Sequence, residues 1–145
     1  MSQDANAFVF DVKVLEGYEE KLFPKFRLVE VKDFMGETVY NIGFDLEYDE
    51  FGRIAPYATL TVNFGEFIGA KNCAYIDTNN CPYADQILTT GIAKKTGLTK
   101  RSGFCEYPLW VFDEEFLKTV GGSEYETYSK KYDEYMASVH NLDEE

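Results

Sequence analysis

At 145 residues, with 45% hydrophobic and 17% aromatic side chains, the chain carries enough apolar material for one packed domain and too much for a disordered segment. Its 26 Asp and Glu outweigh 14 Lys and Arg, and the net charge of −12 disfavours direct nucleic-acid binding and anionic membrane surfaces. The acidity leaves two meanings, solubility alone or a partner with a basic surface.

Residues 1–6 are small and polar and are expected to fray. Phe8, Phe10, Val12 and Val14 then alternate with their neighbours, which predicts a strand. Glu16 to Lys21 reads as a loop, and Pro24 holds Phe23 extended before Phe26 to Lys32 resume strand composition. Asp33 to Glu37, with Gly36, suits a hairpin turn. In the next strand Tyr40, Ile42, Phe44, Leu46 and Tyr48 form a buried face, while Asn41, Gly43, Asp45 and Glu47 form a wet one. Asp49 to Arg53 turns the chain into a strand carrying Ala58, Leu60, Val62 and Phe64 on one face, with Pro56 marking a strand opening or a sheet edge.

Phe64 to Asn72, with Gly65 and Gly69, reads as a loop leading to a short strand at Cys73 to Ile76. Asp77, Thr78, Asn79, Asn80 and Cys81 form a polar turn, and Pro82 opens a short helix ending near Gly91. Lys94 to Arg101 is a loop-like basic island of four bases and no acid, and Phe104 to Phe112 is a strand that Pro108 assigns to an edge. Asp113 caps a helix that ends at Gly121 and Gly122, and Ser123 with Glu126 forms a capping box for a last helix running to about His140, before an acidic tail at 141–145. On that helix Tyr125, Tyr128, Tyr132 and Tyr135 fall with Met136 and Val139 on one narrow face, either core or the self-association seam of a homodimer. The expected fold is a single α+β domain over residues 1–145. Its antiparallel sheet has five to six strands, with a short middle helix and a C-terminal helical pair packed on one face.

Cys73, Cys81 and Cys105 form no Cys-x-x-Cys pair, no signal-like segment precedes them and no apolar run spans a bilayer, so a cytoplasmic protein is expected. A cysteine nucleophile at Cys81 or Cys105 needs a held base, and His140 is the single histidine, beside Asp143, Glu144 and Glu145. No catalytic residue is therefore assigned, and a cysteine-dependent enzyme stays an alternative. The Cys and His spacings fit no zinc site. Asp45, Glu47 and Asp49 begin like a calcium loop, but Glu50 stands where glycine is needed and Pro56 where the bidentate Glu belongs. Gly91 to Gly97 has no Gly before its Lys-Thr pair, so it is no phosphate loop, and no cofactor or metal is expected. Asp77 to Cys81 either cap their own turn or form a polar binding surface shared with Cys105 and Tyr107.

The runs Ala58 to Asn63, Ala74 to Pro82 and Ser102 to Leu109 resemble blocks of a family of small proteins of unknown function, encoded in gut Firmicutes and related bacteria, often on plasmids or conjugative elements. The likeness covers residues 57–113 and implies an accessory protein of a mobile element; it carries no catalytic residues. The expected function is non-enzymatic binding or regulation through contact with a protein partner or a second copy. The alternative is a DNA-mimicking inhibitor of a DNA-binding protein or nuclease, since residues 113–145 hold ten acids against three bases while 94–101 carries a charge of +4.

Overall fold

Alternation of apolar and polar residues builds the first half of the chain into strands β1 (Phe10–Leu15), β2 (Tyr18–Lys32), β3 (Thr38–Glu50) and β4 (Arg53–Thr59). They are followed by β5 (Thr61–Val62), β6 (Cys73–Ile76), the one-turn helix α1 (Ala84–Leu88), β7 (Ala93–Ser102), β8 (Cys105–Phe112) and α2 (Glu114–Asp143). The structure, a computed structural model, describes residues 8–143, with side chains through Val139. The expected fraying at 1–6 lies outside the described residues.

The strands form two antiparallel four-stranded sheets, ordered β1-β2-β3-β4 and β5-β6-β8-β7, rather than one sheet of five to six strands. The division falls at Leu60, inside a run whose period of two never breaks. Its amide donates to the Phe44 carbonyl at 2.9 Å, and its carbonyl accepts from the Asp77 amide at 2.8 Å, so this residue bonds into the first sheet and reaches the end of β6 in the second.

Three local expectations are corrected. Glu16 to Lys21 is not a loop: Glu16 and Gly17 alone make the turn, with Gly17 at φ 76°, and Tyr18 begins a 15-residue strand. The basic island is not a loop but β7, an edge strand with an irregularity between Lys95 and Thr99. Exposed bases and a bulge keep an open edge from pairing with another chain, and that same polar composition disguises the strand in the sequence. β8 is internal, between β6 and β7; Pro108 is tolerated because it lies beyond Tyr75↔Leu109, the last pair with β6.

The first turn of α2 is capped as expected, the Phe116 amide donating to Asp113 Oδ2 at 3.1 Å. Gly122, at φ 52° and ψ −129°, kinks α2 and divides it into two helical segments. Gly121 lets the kink close, because a Cβ there would stand 2.6 Å from Tyr125 Cβ and 3.2 Å from the Phe26 ring. The helix continues to Asp143, so the expected tail at 141–145 is helical as far as 143. One hydrophobic cluster joins Phe26, Phe44 and Leu46 of the first sheet to Ile76, Trp110 and Phe112 of the second, Ile87 of α1, and Phe116, Leu117, Tyr125 and Tyr128 of α2.

Candidate functional site

The two sheets differ in reach. β2 and β3 have 15 and 13 residues, whereas β5 and β6 have 2 and 4. On the inner face of the first sheet Leu22, Phe44 and Leu46 are buried, but the same alternating rows continue to Glu20 and Tyr18 on β2 and to Tyr48 and Glu50 on β3. These four are half-buried or exposed, and they form a ledge at the end of the core. β4 adds Tyr57 from an irregularity in its pairing, since Leu46 faces Ala58 while Glu47 faces Pro56, leaving Tyr57 as the extra residue. A bulge of this kind re-aims one side chain on an edge strand.

The Tyr48 and Tyr57 rings lie 5.4 Å apart at 69°, and Tyr57 and Tyr83 lie 6.2 Å apart at 60°. Steeply inclined rings make a corner rather than a stack. Tyr83, buried at the start of α1, donates its hydroxyl to Cys81 Sγ at 3.5 Å, so the row of rings runs from the surface to the Asp77–Cys81 turn.

Two carboxylates flank the corner. Tyr18 donates to Glu20 Oε2 at 3.0 Å, and Tyr48 donates to Glu50. The bond to Glu50 is the main reason the Tyr48 hydroxyl is pushed up to about 12, with burial and the charges of Glu50 and Glu20 adding. Tyr57 is raised by burial and by the Glu20 charge. The phenols therefore keep their protons at ordinary pH. Around this end Leu15, Phe51 and Ile54 are 73%, 100% and 57% exposed, and Glu16, Glu19 and Asp49 are exposed as well.

The polar turn mostly bonds to itself. Asn80 donates from its backbone to Asp77 Oδ1 at 3.1 Å and from Nδ2 to Asp77 Oδ2 at 2.8 Å, while the Cys81 amide donates to the Asp77 carbonyl at 2.8 Å. Thr78 is half-buried and Asn79 is exposed. Continuing the β6–β8 register past Tyr75↔Leu109 sets Tyr107 opposite Asp77. The Tyr107 hydroxyl is raised first by a hydrogen bond with Cys105, with burial and the Cys105 and Asp77 charges adding. The turn and the Cys105–Tyr107 segment are thus neighbours.

Cys81 is fully buried and its thiol is pushed up by burial; Cys73 is raised by the same cause. Both run against the lowered pKa that an activated thiol requires. The side chain of His140 lies outside the described residues.

Of the two readings of Tyr125, Tyr128, Tyr132 and Tyr135, core or seam between copies, the row packs within the chain as the core reading has it. Tyr125 and Tyr128 are each 2% exposed. Tyr125 donates to Asn72 Oδ1 and Tyr128 accepts from the Asn72 amide, both at 2.9 Å. Tyr132 donates to the Gly69 carbonyl at 2.9 Å, and Phe67 packs against Tyr132 and Tyr135 at 5.7 and 5.0 Å. The loop between β5 and β6 supplies this cover, and it is pinned from below by Asn41. That side chain donates to the Glu66 carbonyl and accepts from the Ile68 amide, each at 2.8 Å. Asn41, expected on a wet face, is consequently buried.

Sequence reasoning missed the ledge. Its one signal is the spacing Tyr-x-Glu in strand context, at Tyr18–Glu20 and again at Tyr48–Glu50, which sets ring and carboxylate on one face. Among the described residues no group of three His, Cys, Asp or Glu side chains could hold a metal ion, and no helix is long and apolar enough to cross a membrane.

Compared with known proteins, residues 28–132 match the family described as Domain of unknown function (DUF4313). No curated protein and no solved structure matches the chain. The matched span takes in Tyr48, Glu50, Tyr57 and Tyr83 of the ledge and begins after Tyr18 and Glu20.

Proposed function

The chain belongs to the DUF4313 family, and from that premise we propose that it is a single-domain, non-enzymatic binding or regulatory protein that acts through contact with another protein. The carrying observation is the end of the first sheet, where exposed Leu15, Tyr18 and Phe51 stand at strand ends that also carry Glu16, Glu19, Glu20, Asp49 and Glu50. Large apolar side chains grouped in water are characteristic of contact surfaces, and aromatic anchors carry most of the energy of such contacts. Acids around them steer a partner with a basic surface and repel acidic ones.

Three free thiols support a reducing compartment such as the cytoplasm. The resemblance of residues 57–113 to proteins of mobile elements supports an accessory role there. DNA mimicry draws less support from α2: Lys118 lies 3.8 Å from both Glu114 and Glu115, Lys71 binds Asp133 at 2.9 Å, and Lys130 and Lys131 interrupt the acids. An unbroken phosphate-like row is not what this surface offers.

A photo-crosslinking residue at Phe51, with a second one at the equally exposed Phe104 as control, tests the reading in a lysate of the source cells. The expected result is a discrete protein adduct at position 51 that excess unlabelled protein suppresses and that position 104 does not form. Identical, non-competable adducts at both positions would remove the proposal.

A further inference from the structure

We propose that the ledge binds an arginine side chain of its partner, a deepening that rests on the protein-contact reading above. Three features converge on a guanidinium. The inclined rings of Tyr48 and Tyr57 meet edge to face at 5.4 Å, so they do not bury each other in a stack, and both residues keep part of their surface in water. A cation lying over such a face is attracted by its quadrupole. The flanking carboxylates are already oriented: Glu20 and Glu50 each accept one hydrogen bond from a phenol hydroxyl, and every carboxylate has acceptor sites beyond the one used.

The third feature is charge. Glu20 and Glu50 stand on the ring face, and Glu16, Glu19 and Asp49 belong to the same strand ends; of the cations there, Lys21 is engaged by Asp11 at 2.7 Å and Arg53 lies across from Glu50. A cationic occupant is the complement of this surface. Between the two common cations, guanidinium fits better: it is planar, stacks on aromatic faces, forks onto a carboxylate and is weakly hydrated, whereas an ammonium is a compact, strongly hydrated charge. Tyr83, buried with its ring 6.2 Å from that of Tyr57, backs the Tyr57 ring from inside.

The probes are two short glycine-serine peptides, one bearing two arginines and the other two lysines in the same places, titrated while the Tyr ring resonances are followed by NMR. The arginine peptide is expected to move the Tyr48 and Tyr57 resonances and to bind roughly three- to tenfold tighter than the lysine peptide. Glu20→Gln and Tyr57→Leu should each erase that preference, and unchanged amide spectra elsewhere will show that the variants fold. Equal binding of the two peptides, shifts that survive both substitutions, or no ring shift at all would each overturn the site. The position-51 crosslink separates the two ideas. A wild-type adduct yield in the Glu20→Gln variant ends this inference and keeps the protein contact, whereas absence of any adduct in the unsubstituted protein ends both.

Discussion

Replacing Gly121 by alanine puts a methyl group where the α2 kink folds against β2. The added Cβ would stand 2.6 Å from Tyr125 Cβ, against an ordinary contact of at least 3.4 Å, so the two must part by about 0.8 Å. Tyr125 Cβ is fixed to the backbone and cannot yield by a rotamer change, and the Phe26 ring at 3.2 Å closes the other way out. Overpacking of this kind costs ~1–3 kcal/mol. A 2.6 Å approach to a backbone-fixed atom belongs in the upper part of that range, ~2–3 kcal/mol, and alanine's helix propensity returns ~1 kcal/mol, leaving a net loss of ~1–2 kcal/mol. For a chain of this length that is a fall in Tm of roughly 2–8 °C. Thermal unfolding followed by circular dichroism reads it directly. A Gly121→Ala protein that melts at or above the parent temperature would show that the close approach of helix and sheet is not what the glycine provides.

Asn41→Ala strands the Ile68 amide and the Glu66 carbonyl, an expected loss of ~2–3 kcal/mol, and amide exchange at Ile68 should accelerate; exchange at the parent rate would contradict the clamp. Thiol labelling of the folded protein at pH 8 should modify the half-exposed Cys105 first and leave Cys73 and Cys81 until unfolding, and faster reaction at Cys81 would reverse the assignment. Alkali should destabilise the fold. Burial raises Tyr83 and Tyr128, so the unfolded chain loses those protons first and the stability present below pH ~10 declines as pH climbs past it. Urea midpoints at pH 8 and 11 should differ accordingly, and equal midpoints would refute the linkage.

Much of the secondary structure is legible because it is carried by period: the buried row Ile42, Phe44, Leu46 and the strand at Cys73–Ile76 are both found where alternation and burial place them. Asp113 and Gly122 are legible because caps and kinks have local chemistry. The split into two sheets is not, since Leu60 keeps its place in the alternation while its hydrogen bonds change partner. β7 escapes because an edge strand defended by lysines has the composition of a loop. The ledge escapes for a further reason: Tyr18, Tyr48 and Tyr57 are 30 and 9 residues apart in sequence, and only the β2–β3–β4 register, with its bulge at Tyr57, brings them together.

The double bonding of Leu60 also bears on the order in which the chain assembles. The first sheet is a meander of neighbours, so each hairpin closes a short loop. The second must join β6 to β8 across the distance from Ala74 to Trp110, with α1 and β7 still to be accommodated in between. Contacts of that separation are slow to form unless something fixes one end. A completed β3 does so: by holding the amide of Leu60, it sets β5 where β6 must add, and the second sheet is expected to close after the first.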